Sequence, residues 1–189
     1  MPSRSLQQWR TVRVAELDEM ENAHRSVGGI RRGRRHATRQ LNHAYTLLIA
    51  SQFQGFCRDL HTECARVIVA STQPPNLQAF MEEGFLRDRK LDRGNPNPGN
   101  IGSDFERLDI SLWADLYVLS PRNRQRRRAL EELNEWRNAI AHHDFTRLGV
   151  SAIQLQQVRN WRSACYLLAQ GMDFVTHARL TILLGAPPW

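Results

Sequence analysis

The sequence predicts an all-α protein, an up-and-down helical bundle with two long and several shorter helices. Three observations support this prediction. Apolar residues recur at spacings of three and four along most of the chain, which is the period of an amphipathic helix. No segment alternates apolar and polar residues between turn residues, as a half-buried strand would. The Gly-, Pro- and Asn-containing connections are short, which is typical of neighbouring helices in a bundle.

The predicted domain organisation is a helical bundle over residues 36–189, preceded by residues 1–35, which hold a first helix and a basic connector. The first helix is amphipathic over residues 5–24. Residues 25–36 combine glycine with many arginines and form the basic connector. We expect the first helix to pack with the bundle as one compact unit.

A long helix is predicted over residues 36–71, because one stripe of apolar residues runs along it. Its members are Leu41, Tyr45, Leu48, Phe56, Leu60, Cys64 and Val67. The adjacent prolines Pro74 and Pro75 break the pattern, since proline removes a backbone donor and clashes with the preceding turn. A shorter helix is then predicted over residues 76–90.

Residues 92–104, DRGNPNPGNIGSD, predict a loop, because three glycines and two prolines lie there among Asn and Asp residues. Ser103 and Asp104 are the expected N-caps of the helix that follows. The apolar stripe of that helix consists of Phe105, Leu108, Leu112, Leu116 and Leu119.

Two further helices complete the predicted bundle. One covers residues 121–142, with Pro121 suited to its first turn. The other is a long helix over residues 151–184 with a regular apolar stripe. The members of this stripe are Val158, Trp161, Cys165, Leu168, Met172, Val175 and Ile182. Such stripes are more typical of a core seam than of a cofactor site.

The chain of 189 residues has a formal net charge of +7 and a pI of about 10.3. Lys90 is its only lysine, so the positive charge consists of arginines, whose planar guanidinium groups can bind phosphate with two donors. A basic chain of this size favours a polyanionic partner. The alternative is a soluble protein whose basic charge has no specific partner.

The cysteines are three in number and not closely spaced, so they do not form a disulfide framework. The N-terminal residues lack the apolar core of a signal peptide, and no apolar run reaches the roughly 18 residues that cross a bilayer. We expect a cytoplasmic protein with reduced thiols and no membrane partner. Cys57, His61 and Cys64 share one helical face, but a fourth zinc ligand is not evident, so we expect no metal and no cofactor.

The segment EWRNAIAHHDF, residues 135–145, is the most unusual part of the chain. At about 100° per residue, the buried face centres on Ile140 and continues through Trp136, Leu133 and Leu130. The opposite face centres on Asn138 and His142 and continues through Glu135, Asn134 and Glu131. Polar side chains at this helix end have a structural explanation, because histidines at a C-terminus favour the helix dipole.

Arg137 lies on the flank of this helix, about 140° from His142. The two side chains therefore point together only if the helix ends or bends near Ala141, or if a second copy of the chain supplies the partner. Under the structural explanation Arg137 stacks on Trp136 or pairs with a glutamate.

The hexapeptide RNAIAH, residues 137–142, resembles the R-N-x-x-A-H form of the R-x(4–6)-H motif of HEPN domains. HEPN domains are helical bundles whose motif lies near the C-terminal end of the helix before the last long one, and the predicted helix order is the same. The segments LNHAYTLLIASQFQGFCRDLHTEC and NPNPGNIGSDFERL also resemble the RiboL-PSP-HEPN branch. The resemblance covers residues 36–184.

This resemblance implies a metal-independent endoribonuclease, which in many HEPN proteins is a toxin or an anti-phage effector. It also implies a homodimer with one composite RNA cleft, and it leaves open a cognate antitoxin as a partner. The implied roles are His142 for proton transfer, Arg137 for transition-state stabilisation and Asn138 for orienting the phosphate or the histidine. His143 offers an alternative spacing, but the motif form favours His142, so we expect His143 to pack, to cap the helix or to contact RNA.

A basic cluster occupies the first turns of the motif helix. Its members on broadly the same face as the motif are Arg124, Arg127 and Arg128. They could guide the RNA backbone to the site, or they could be a solvated helix end paired with glutamates. The basic patch at residues 30–36 also has two interpretations, a phosphate contact or a flexible linker.

Three functions are open at this point. The first is a HEPN ribonuclease, which the intact Arg and His favour. The second is a non-catalytic HEPN module that binds RNA, a nucleotide or a partner protein, and the third is a purely structural helical dimer. Cleavage of RNA that is lost on substitution of His142 would distinguish the first from the others.

Overall fold

The computed structural model describes residues 1–27, 35–72 and 74–189. Every regular element in these ranges is a helix, which confirms the predicted all-α bundle. The α-helices are α1 (Arg4–Gln8), α2 (Val14–Val27), α3 (Arg35–Ala70), α4 (Gln78–Leu86), α5 (Lys90–Arg93), α6 (Pro98–Glu106), α7 (Leu112–Leu119), α8 (Asn123–His142) and α9 (Leu155–Leu184). A π-helical turn, Trp9–Arg13, joins α1 to α2, and a 3-10 turn, Pro75–Leu77, precedes α4. Within the described ranges, no helix has both the length and the apolar character of a membrane span.

The two predicted long helices are confirmed as α3 and α9, and α8 packs against both of them. Their apolar stripes supply much of the core, because 3-4 spacing places these side chains on one face of each helix. The stripe of α9 is shorter than predicted. Ile182 is 77% exposed, whereas Leu180 is fully buried, so the core ends near Leu180.

The N-terminal helices pack on the same core. Trp9 is fully buried, and its ring centroid lies 5.9 Å from that of Phe53 and 5.6 Å from that of Phe56, both on α3. The carboxylate of Glu63, also on α3, accepts hydrogen bonds from the first backbone amides of α1, which would otherwise lack partners. The basic connector lies mostly outside the described residues, as do the side chains of its patch at residues 30–36.

Residues 92–104 contain the start of α6, so the prediction of a loop throughout this segment was wrong. The helix begins at Pro98, and Oδ1 of Asn97 accepts a hydrogen bond of 2.8 Å from the amide three residues later. Asn followed by Pro favours a helix start, because the Asn side chain caps a free amide and proline suits the first helical position. Gly102 lies inside α6, where a Cβ atom would be 3.0 Å from the Trp113 ring.

The predicted capping role of Ser103 and Asp104 was also wrong, because both residues lie inside α6. Asp104 instead caps another helix. Its buried carboxylate accepts hydrogen bonds of 2.8 Å from the backbone amides of Lys90 and Leu91 at the start of α5. A carboxylate that receives two amide donors in the interior fixes α5 against α6.

Two predicted helices are each divided in two. Asp88 separates α4 from α5 with a φ of 57°, and Asp109 separates α6 from α7 with a φ of 58°. Aspartate adopts this left-handed conformation more readily than most residues. The predicted stripe through the second pair is buried up to Leu116, but Leu119 at the end of α7 is 42% exposed.

Candidate functional site

The motif helix α8 ends between two histidines. His142 is its last residue, and His143 adopts the left-handed conformation with a φ of 54°. The Asp144 amide donates to the Ala139 carbonyl at 2.9 Å, and the His143 amide donates to the Ile140 carbonyl at 3.3 Å. This pair of bonds is the Schellman pattern of a helix C-terminus. The chain reverses there, and the two neighbouring histidines line two different cavities.

The first cavity has a volume of about 360 Å³ and lies on the His142 side of the turn. Its wall consists of Glu135, Asn138, Ala139, His142, Asp144, Arg147 and Leu148. Asn138 and His142 lie one helical turn apart on the same face of α8, and both are exposed. The structure therefore brings two of the three predicted catalytic residues to one cavity.

Arg137, the third predicted catalytic residue, is not among the described residues that line the first cavity. It is half-buried, and its Nη1 donates a hydrogen bond of 3.2 Å to Oδ1 of Asn138. The same oxygen accepts a hydrogen bond from Nδ2 of Asn95, in the segment before α6. Asn138 thus connects Arg137 to the wall of the first cavity. The side-chain oxygen of Asn138 already accepts two hydrogen bonds from within the chain.

Arg147 brings a guanidinium group to the first cavity, and this residue was not among the predicted site residues. No hydrogen bond or ion pair joins it to the residues that the structure describes, so its donors are available to an anion. Hydrogen bonds from Thr146, and then the nearby charges of Arg147 and His142, lower the pKa of Asp144. Arg147 follows the end of α8, where helical spacing no longer predicts the direction of a side chain.

The prediction that the buried face of α8 centres on Ile140 was wrong. Ile140 and Trp136 are only half-buried. The fully buried positions of the helix include Leu130, Leu133 and Asn134. Asn134 was predicted on the polar face, but its Nδ2 donates to the carbonyl oxygens of Pro96 and Leu130, at 3.1 and 2.8 Å. The segment before α6 packs on this side of α8, so Asn134 is buried rather than part of an exposed polar face.

The three predicted RNA-binding arginines of α8 have different surroundings. Arg127 is half-buried and donates to the hydroxyl of Tyr117 at 2.8 Å and to Glu131 at 3.2 Å. The guanidinium of Arg124 lies 4.9 Å from the centroid of the Tyr117 ring, and Arg128 is exposed. Arg127 therefore stabilises the packing of α8 on α7, whereas Arg124 and Arg128 remain exposed and positively charged.

The second cavity, of about 350 Å³, lies on the other side of the turn, between α3 and the end of α8. It is lined by His143 together with Arg39 and His43 of α3. The ring of Phe145 stacks on His43 at a centroid distance of 5.6 Å and meets His143 edge-on at 5.9 Å. Nε2 of His43 lies 3.0 Å from the carbonyl oxygen of Ser151. These groups could not be connected from the sequence, because no spacing rule links α3 to this turn.

Cys57, His61 and Cys64 lie on the buried face of α3 and line neither cavity. Nε2 of His61 is 3.0 Å from the carbonyl oxygen of Asp104. Burial raises the pKa of both thiols, so these cysteines stay protonated and unreactive at neutral pH. In the part of the chain that the structure describes, no group of His, Cys, Asp and Glu is arranged to hold a metal ion.

Comparisons with known proteins gave no match: no protein-family model, no curated protein and no solved structure is significantly similar to this chain. The resemblance to HEPN domains therefore rests on the motif, the helix order and the two sequence segments alone.

Proposed function

We propose that the chain is a metal-independent endoribonuclease of the HEPN type, a cytoplasmic toxin or anti-phage effector. The observation that carries this proposal is the first cavity, where His142 and Asn138 of the motif lie with Arg147. An imidazole can transfer protons in a phosphodiester transfer, and guanidinium and amide donors can stabilise the charge on the phosphate oxygens. The position of the motif at the C-terminal end of the helix before the last long one also supports the proposal.

In the proposed reaction, the 2′-hydroxyl of the RNA attacks the adjacent phosphorus while His142 accepts the hydroxyl proton. The bond from phosphorus to the 5′-oxygen breaks, and this oxygen takes up a proton from solvent water. Guanidinium groups stabilise the negative charge on the non-bridging oxygens, and Arg137 and Arg147 are the candidates. The products carry a 2′,3′-cyclic phosphate and a 5′-hydroxyl end.

A homodimer accounts for the position of Arg137. Its guanidinium contacts Asn138 rather than the first cavity, so one chain alone does not present the Arg and His of the motif as a pair. A second copy packed on this face would bring another Arg137 towards His142. A cognate antitoxin would act most directly by covering the same face.

The test is the cleavage of end-labelled RNA in the presence of EDTA. We expect His142→Ala to lower the cleavage rate by about 10²–10⁴-fold, the usual contribution of a general acid–base group. His177→Ala is the matched control, because it removes an imidazole that lines neither cavity. Circular dichroism checks that both variants fold. Wild-type cleavage by His142→Ala would refute the assignment, and loss of all cleavage in EDTA would refute metal independence.

A second candidate function is a non-catalytic HEPN module that binds RNA, a nucleotide or a partner protein. The hydrogen bond from Asn95 to Asn138 favours it, because the amide oxygen of Asn138 is already occupied within the chain. Such a module would bind RNA in a salt-sensitive manner without cutting it. Gel-shift measurements alongside the cleavage assay distinguish the two functions.

A further inference from the structure

We propose that the second cavity is a phosphate-binding site in which Arg39 and His143 are the ligands and His43 forms part of the wall. The cavity has a volume of about 350 Å³, which accommodates a phosphate group and part of the molecule that carries it. Its three nitrogen-bearing side chains come from α3 and from the turn after α8, and none of its described lining residues is acidic. Guanidinium and imidazole groups without a competing carboxylate favour a phosphate oxyanion.

Arg39 provides the strongest support for an anionic ligand. Its Nε atom is buried and has no hydrogen-bond partner among the described residues. No carboxylate in the described ranges forms an ion pair with its guanidinium. A buried donor without a partner destabilises the folded state, and a phosphate oxygen in the cavity would supply both the acceptor and the missing negative charge.

His143 supplies the second donor of the site. The left-handed conformation of His143, with a φ of 54°, is unfavourable for most residues other than glycine, and it places the imidazole at the second cavity rather than beside His142. The ring of Phe145 contacts both imidazoles. Burial, with a smaller contribution from the charges of Arg39 and His143, lowers the pKa of His43. His43 is therefore neutral at neutral pH, and the positive charge that a phosphate would balance is that of Arg39.

The phosphate could come from two sources, an RNA strand or a free phosphorylated small molecule such as a nucleoside monophosphate. The first source would extend the proposed function, since the first and second cavities flank the same turn and a bound strand could occupy both. The binding of phosphate itself does not require that the protein cleaves RNA.

Isothermal titration calorimetry of the full chain with inorganic phosphate tests the proposal. Arg39→Gln removes the charge, and His143→Asn keeps a residue that tolerates the left-handed turn. Each change should weaken phosphate binding by about tenfold or more, the effect of losing one charge-assisted hydrogen bond. Arg10→Gln changes the net charge equally at an exposed position outside the cavity, and it should bind as the wild type does. Absence of phosphate binding, wild-type binding by Arg39→Gln, or equal weakening by Arg10→Gln would overturn the proposal.

A second set of titrations identifies the source of the phosphate. A 2′-O-methyl RNA oligonucleotide cannot be cut through its 2′-hydroxyl, so it reports binding alone. If Arg39→Gln weakens the binding of both this oligonucleotide and inorganic phosphate, an RNA strand supplies the ligand. If it weakens the binding of inorganic phosphate and a nucleoside monophosphate but not of the oligonucleotide, the ligand is a free molecule. A protein that fails to cleave RNA would still show these differences, so the two proposals fail separately.

Discussion

At the scale of single residues, His61 is a side chain whose protonation the fold opposes. Its ring is fully buried and packs edge-on against Phe105, with centroids 5.5 Å apart. Nε2 lies 3.0 Å from the carbonyl oxygen of Asp104, so the neutral ring carries its proton on Nε2 and donates it to this oxygen. Burial, and then the positive charge of Arg89, lowers the pKa of His61 from 6.5 to about 4. A buried neutral histidine links the stability of the fold to pH.

We expect the free energy of unfolding to fall as the pH decreases from 6.5 towards 4. Above pH 6.5 the ring is neutral in both states, so His61 adds no pH dependence there. Between these values the unfolded chain binds a proton that the folded chain does not, which lowers the stability by roughly 3 kcal/mol in total. Urea denaturation at pH 7 and pH 4.5 measures the effect. His61→Gln should show a smaller pH dependence than the wild type, and an equal dependence would contradict the prediction.

Arg147 gives a second residue-scale prediction, which rests on the proposed ribonuclease activity. If its guanidinium stabilises the transition state, Arg147→Gln should lower the cleavage rate by about 10²-fold, as the loss of one preorganised donor does. Arg128→Gln removes an equal charge from an exposed position on α8 and should have a much smaller effect. Single-turnover kinetics on the same RNA compares the two. Equal rates for both variants would leave Arg147 without a catalytic role.

The residues of the first cavity show what the sequence could predict. Asn138 and His142 share one face of a helix, and helical periodicity was enough to place them together. Arg147 was not predictable, because the left-handed residue His143 reverses the chain before it. Arg39 was not predictable either, since its place beside the turn depends on tertiary packing between α3 and α8.

At the scale of elements, Asp104 joins two short helices. Asp104→Asn would replace one carboxylate oxygen by an amide group and leave an amide donor of α5 buried without an acceptor. We expect the free energy of unfolding to decrease by about 1–3 kcal/mol, the cost of an unsatisfied buried donor. Glu106→Gln, an exposed change of equal charge in the same helix, should have little effect. Chemical denaturation of both variants measures the difference, and equal stabilities would show that the cap is dispensable.

The long helices could be predicted and several short ones could not, for a physical reason. In α3 and α9 apolar residues recur over many helical turns, so one residue that departs from the pattern does not obscure the helical period. In α6 the composition of glycine and proline suggested a loop, although Asn97 and Pro98 form a helix start of their own. The bounds of such short helices depend on one or two capping contacts rather than on periodicity.

At the scale of the whole molecule, α3, α8 and α9 form the frame of the bundle. Both cavities lie around the turn that follows α8, where the frame leaves charged and imidazole side chains accessible. The N-terminal helices pack on α3 through Trp9 and stabilise the frame rather than line either cavity. The site proposed for RNA thus depends on one helix end, which a second copy of the chain could complete.

The composite dimer site predicts complementation between two inactive variants. Arg137→Ala and His142→Ala should each fail to cleave RNA, because each homodimer lacks one of the two groups from both chains. A mixed dimer keeps one Arg137 and one His142 on different chains, so subunit exchange should restore measurable cleavage. Native mass spectrometry confirms that mixed dimers form, and mixing either variant with the double variant is the inactive control. If mixed dimers form and remain inactive, each chain needs both of its own residues, and the cleft is not shared between subunits.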